Sequence, residues 1–175
     1  MIFDTHAHYD DRQFEEDRAE LLGSMQEQGV GMIVDAGSDI ASWDKIGQLT
    51  EQYPFIYGAI GVHPDEVGEL DEEKMQRMEK LLSGEKMVAV GEIGLDYYWD
   101  KEKRDLQKKW FIRQLELARQ LDLTQPRSCG RYDGDHEAAC QRAGWGDPLF
   151  FLFSGTGERI REHGILSWNR RCCYI

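Results

Sequence analysis

Short apolar runs alternate with longer amphipathic stretches through the first 123 residues. The runs occupy 1–3, 30–36, 55–62 and 86–95, and their starts lie 29, 25 and 31 residues apart. Their near-continuous apolar character suits strands buried on both faces, as in a parallel sheet. Between them the apolar positions recur at helical spacing. Phe14, Leu21, Leu22 and Met25 make one face, and Gly29 is placed to stop that helix. Leu70, Met78, Leu81 and Leu82 make another, ending at Gly84. Leu106, Trp110, Leu117 and Leu121 make a longer one, with Phe111, Leu115 and Ala118 beside them. The acidic run at 71–74 suits the solvated start of a helix, where carboxylates complement the dipole.

The order βαβαβαβα predicts an α/β fold with right-handed crossovers. Pattern alone permits an open sheet or a barrel. Four βα units are about half of a (β/α)₈ barrel, which takes ~250 residues.

Unusual polar residues collect where the apolar runs end, the place where α/β folds build their sites. Asp4, His6 and His8 follow the first run, and Asp35 closes the second. His63 and Pro64 close the third, and Glu92 and Asp96 close the fourth. In extended backbone, residues i and i+2 face the same way, so His6 and His8 are able to offer two imidazoles to one metal ion. Two polar loop residues is the plainer reading. Glu92 sits among apolar neighbours, where a carboxylate is costly unless it is paired or bound to a cation. An arginine partner would satisfy it. With His6 and His8 nearby, it instead supplies the bridging carboxylate of a two-metal centre. His63 either binds substrate phosphate or caps a loop that Pro64 stiffens. Asp4 and Asp96 either hold ligand imidazoles from behind or are solvated. Tyr97, Tyr98 and Trp99 suit packing at the rim, with stacking on nucleobases as the alternative.

Composition narrows the class. Hydrophobic residues make up 41% of the 175, and no apolar stretch approaches the ~18 residues of a membrane span. The N-terminus lacks a signal-peptide pattern. The expectation is a cytoplasmic protein with no membrane association. The net charge of −12 provides no footprint for gripping a duplex backbone, but allows phosphate contacts through bound cations. The charge is unevenly spread. Residues 1–123 hold 14 Lys and Arg against 27 Asp and Glu, whereas residues 124–175 hold 7 against 6. All eight lysines precede the break, and Cys129, Cys140, Cys172 and Cys173 all follow it.

The segments FDTHAH, GVHP, AVGEIGLDYY and LELARQLDL, in that order, resemble the TatD family of metal-dependent deoxyribonucleases. The resemblance covers residues 1–123. It implies a TIM-type barrel and a pair of divalent metal ions, Mg, Mn or Zn, at a centre that cleaves the phosphodiester bonds of DNA. It implies His6 and His8 as metal ligands and Glu92 as the catalytic carboxylate shared between the ions. His63 falls in an active-site motif and is expected to contact substrate. No partner protein is implied. An amidohydrolase of the wider metal-dependent hydrolase group shares the HxH pattern and is the rival reading, as is a non-enzymatic fragment. GEIGLDYY favours the nuclease family.

The family pattern continues with a strand ending His-Ser-Arg, another carrying His-Cys-Phe-Ser, and a Thr-Asp-x-Pro motif. These would supply two further histidines and an aspartate. None follows Leu123, and His136 and His163 stand in other contexts. Codons chosen for GILSWNRRCCYI read, one nucleotide later, as GFYLGIGGVVT, similar to the family's next strand. Residues 124–175 are therefore expected to be a frameshift product, and residues 1–123 the N-terminal half of a barrel, with impaired or no activity. A genuine second segment is the alternative, but cysteine spacings of 11, 32 and 1 match no zinc pattern.

Overall fold

A computed structural model of the chain describes residues 1–98 and 102–123. Trp99 and the whole of 124–175, with its four cysteines and the expected frameshift, lie outside the described residues.

Four strands form one parallel sheet in the order β1-β2-β3-β4: β1 (Ile2–Ala7), β2 (Val30–Ala36), β3 (Ile56–Ile60) and β4 (Met87–Val90). Each is followed by a helix: α1 (Arg18–Ser24), α2 (Ser42–Gln52), α3 (Glu72–Leu82) and α4 (Arg104–Gln120). The expected βα alternation is present. Register brings Ala7 beside Asp35, Ala36 beside Ala59, and Ile60 beside Val90, so the strands end close to one another.

Apolar side chains from sheet and helices make the main core. Trp43 and Ile46 of α2, Ile60, Val90, and Trp110 and Leu115 of α4 are all buried in it. A second cluster joins Leu22 of α1 to Ile33, Leu49 and Ile56. Val34, Ala36 and Ala59 belong to a third. Each fully buried Leu or Ile contributes roughly 1.5–3 kcal/mol. These contacts set how the helices lie on the sheet, and so where the strand ends stand.

Local chemistry places the boundaries. The Asp71 carboxylate accepts from Lys74 N at 2.8 Å and caps α3, with Glu72 and Glu73 in its first turn, as the acidic run predicts. At the α2 start, Asp39 Oδ1 accepts from Ser42 N at 2.7 Å. Phe14 lies in a short 3₁₀ turn, Arg12–Phe14, rather than in α1. Arg18 donates to the carbonyls of Tyr9, Asp10 and Asp11, which ties this loop down before the helix begins. β1 runs past its apolar start, so His6 lies inside the strand and His8 just beyond it. β4 ends at Val90, and Glu92 stands in the following loop. Among the described residues no helix is long and apolar enough to cross a membrane.

Candidate metal centre

The alternation of β1 carries His6 and His8 to one side, and the loop after β4 brings Glu92 to meet them. His6 Nε2 lies 2.8 Å from Glu92 Oε1 and 3.2 Å from His8 Nε2. One ligand atom from each residue falls within 4.8 Å of the others. Atoms sharing one ion at bonds of ~2.1 Å stand roughly 3 to 3.5 Å apart, and both contacts of His6 Nε2 lie near that range.

The second ring nitrogen of His8 sharpens this fit. His8 Nδ1 lies 2.7 Å from the carbonyl oxygen of Ala36. A carbonyl only accepts, so Nδ1 carries the hydrogen and donates. In the neutral ring that leaves a lone pair on Nε2, the atom facing His6. An imidazole steered by a backbone carbonyl is the usual support for a metal-ligating histidine. Two imidazole nitrogens and one carboxylate oxygen suit Zn²⁺ or Mn²⁺ better than Mg²⁺, which prefers oxygen throughout.

Electrostatics agree. Burial pushes Glu92 up, but the hydrogen bond from His6 and the charges of His6, His8 and His63 outweigh it and hold the carboxyl below its ordinary value. The hydrogen bond to Glu92 raises His6, against the effect of burial, with the Glu92 and Asp4 charges adding to it. A carboxylate kept ionised beside histidines is a place ready for positive charge.

The other sequence-predicted residues make contacts of their own. His63 is not one of its converging ligands, although its charge reaches Glu92. Its Nδ1 lies 3.4 Å from Asp65 Oδ2. Asp4 Oδ1 accepts from the backbone N of His6 at 3.1 Å, and the Asp4 charge is one of those that raise the His6 ring. Asp96 Oδ1 accepts from Tyr98 N at 2.8 Å, shaping its own loop. Tyr97 lies under Arg104, whose guanidinium carbon is 4.5 Å from the ring centre, and Tyr98 is 77% exposed.

Asp35, which the sequence places at a strand end, stands out, as do three residues that the sequence did not single out: Asp10, Gln107 and Gln114. Asp35 is fully buried; its Oδ1 accepts from Tyr9 N at 2.6 Å, and its Oδ2 has no partner. Burial, with the nearby Asp10, pushes its carboxyl up to about 7. Burial likewise pushes Asp10 up to about 6. Gln107 and Gln114 are buried on α4, and each pairs its amide with one backbone residue of a strand-end loop. Gln107 pairs with Asp96, and Gln114 with Val62 beside His63. Two glutamines seven apart on an otherwise apolar helix face were the available signal.

Residues 3–125 match the family model described as TatD related DNase. The chain belongs to the TatD family. It is 40% identical over 123 residues to Uncharacterized metal-dependent hydrolase YabD of Bacillus subtilis (strain 168), covering 70% of this chain and 48% of YabD. It is 27% identical over 165 residues to the 3'-5' ssDNA/RNA exonuclease TatD of Cronobacter turicensis, covering 92% of this chain and 62% of that one. The crystal structure of YjjV, a TatD homologue from Escherichia coli K12, superposes with a TM-score of 0.73 at 27% identity, covering 85% of this chain and 61% of YjjV. This TatD chain therefore spans about half the length of YabD. Its four βα units are those of the TIM-type barrel, and its family is one of metal-dependent hydrolases.

Proposed function

We propose that His6, His8 and Glu92 hold divalent cations, two in the complete centre, and that the site hydrolyses phosphodiester bonds in nucleic acid, with DNA as substrate. The observation that carries this reading is the convergence of one donor atom each from His6, His8 and Glu92 within 4.8 Å. A divalent cation held there supplies a Lewis acid for a phosphoryl oxygen and a water acidic enough to attack at neutral pH. The histidines offer neutral nitrogens, and Glu92, the carboxylate expected to be shared, offers the charge. His63, close enough for its charge to be felt at Glu92, suits a substrate phosphate oxygen. The acidic surface does not attract a polyanion by itself. The grip on phosphate therefore falls to the cations. The name of the Cronobacter relative makes single-stranded nucleic acid the first substrate to try.

Among the described residues three donors converge, fewer than a two-ion centre uses, so the 175-residue chain is expected to turn over slowly or not at all. A cytoplasmic setting and the origin of residues 124–175 in a shifted frame belong to the same proposal. The nucleotide sequence across codons 120–130 tests the latter.

The function is tested by incubating the purified chain at high concentration with end-labelled single-stranded DNA and, separately, with amide and lactone substrates. Mg²⁺, Mn²⁺ and Zn²⁺ are supplied in turn. DNA cleavage that EDTA abolishes and that Glu92→Gln removes is the expected result. Turnover of an amide or lactone with DNA left intact would replace the nuclease reading by the amidohydrolase one.

A further inference from the structure

Three consecutive carbonyl oxygens at the end of β2 each accept a hydrogen bond from a different element of the candidate site. Ala36 O accepts from the His8 ring at 2.7 Å. Gly37 O accepts from the backbone N of Glu92 at 2.7 Å, and Ser38 O from the backbone N of His63 at 2.7 Å. The donors arrive from the ends of β1, β4 and β3. Of these, only β1 and β3 are neighbours of β2 in the sheet. The bond from Glu92 is thus outside any strand ladder, since it spans β3.

Two glycines make this arrangement possible. The backbone after β4 crosses β3 at Gly61, where a Cβ would lie 2.8 Å from Gly91 C and 2.9 Å from Glu92 O. At Gly37 a Cβ would lie 2.5 Å from Ser42 Oγ and 2.9 Å from Ile46 Cδ1. Both neighbours are buried in α2, and Ser42 is held by Asp39. Gly37 N also donates to Ala59 O at 2.8 Å. The segment 36–38 is therefore clamped between β3 and the first turns of α2.

We propose that segment 36–38 is the positioning element of the metal centre, with Gly37 as its positioning residue. Its three carbonyls set the spacing of His8, Glu92 and His63, and hence the affinity for the cation, although none of its own side chains is a ligand. This rests on the reading of His6, His8 and Glu92 as ligands. A rigid support that orients ligands is worth about 10–100-fold in metal affinity.

The test compares Gly37→Ala, the space-making pair Ser42→Ala/Ile46→Val, and all three changes together, in the full 175-residue chain. Zn²⁺ affinity is read by titration. Gly37→Ala is expected to bind at least tenfold more weakly, the pair alone as wild type, and the triple variant within about threefold of the pair. Folded Gly37→Ala with wild-type affinity overturns the proposal, as does a triple variant that shows no recovery.

A second readout uses no metal. ¹⁵N NMR of His8 is expected to show the Nδ1–H tautomer in wild type and triple variant, and a mixture in Gly37→Ala. If wild type binds no Zn²⁺, the ligand reading falls and this comparison alone decides; an unchanged tautomer in Gly37→Ala then overturns the proposal. Should Gly37→Ala not fold, amide hydrogen exchange on wild type decides. The Glu92 and His63 amides are expected to exchange as slowly as Gly37 N–H, and exchange at the rate of exposed loop amides overturns the proposal.

Discussion

The side-chain amide of Gln114 pairs with both backbone groups of Val62. Its Oε1 accepts from Val62 N at 2.8 Å, and its Nε2 donates to Val62 O at 3.3 Å. Past the end of β3 the backbone has no strand partner, and buried peptide groups require one. The glutamine acts as a one-residue substitute for a neighbouring strand. Trp43 Nε1 donates to Gly61 O at 2.8 Å, so the residues leading to His63 are held from α2 as well as from α4.

Gln114→Glu tests this pairing through pH. Protonated Glu keeps both an acceptor and a donor, whereas the carboxylate leaves Val62 O facing negative charge. Burial raises the folded-state pKa of such a carboxyl above its unfolded value of about 4.3. The penalty is therefore absent below that value and complete above the folded-state pKa. Urea unfolding is expected to show a loss of roughly 1–3 kcal/mol at pH 8 and a smaller one at pH 5. Equal losses at both pH values would show that the donated hydrogen bond contributes little.

Asp35 predicts a pH dependence of the wild-type fold. Its carboxyl is raised from 3.8 to about 7. Below pH 3.8 both folded and unfolded states are protonated and burial adds no charge penalty. As pH rises toward 7 the unfolded state releases its proton first, and folding stability falls. Asp35→Asn keeps the acceptor for Tyr9 N and cannot ionise. The stability of the variant relative to wild type is expected to improve between pH 4 and pH 8, by an amount on the order of kcal/mol. Parallel stability curves across that range would contradict a raised, buried carboxyl with one unpartnered oxygen.

Metal binding is expected to stabilise the fold by mass action. At a Zn²⁺ concentration of about 100 times Kd, the gain is about 2.7 kcal/mol, visible as a raised Tm. His8→Ala and Glu92→Gln each remove one of the three converging donor side chains, and are expected to lose most of that shift. Their Tm without metal serves as the baseline. A Zn²⁺-induced shift as large in both variants as in wild type would place the ion elsewhere.

Gly47 offers a contrast with Gly37. It lies inside α2, and a Cβ there meets nothing within 4 Å. Gly47→Ala is expected to stabilise the fold by about 0.5–1 kcal/mol, from helix preference and reduced freedom of the unfolded chain. Thermal unfolding reads the gain, and Zn²⁺ affinity is expected to stay at the wild-type value. A lower Tm would mean that α2 is not helical at this position.

The sequence by itself was enough for the βα alternation, the helix start at Asp71 and the candidate pair His6 and His8. Each of these is local: apolar periodicity, a capping side chain, and the two-residue repeat of a strand. Strand limits were less legible. The polar Asp4, Thr5 and His6 hid the second half of β1, and the apolar residues after Val90 disguised the loop that carries Glu92. The tertiary structure alone decided which groups support the centre. The bond from His8 to Ala36 joins residues 28 apart, and that from Val62 to Gln114 joins residues 52 apart. Such pairs meet because parallel strands joined by helical crossovers bring all their C-terminal ends to one edge of the sheet. Residue periodicity records which face a side chain takes, but not which distant carbonyl will stand opposite it once the helices have packed.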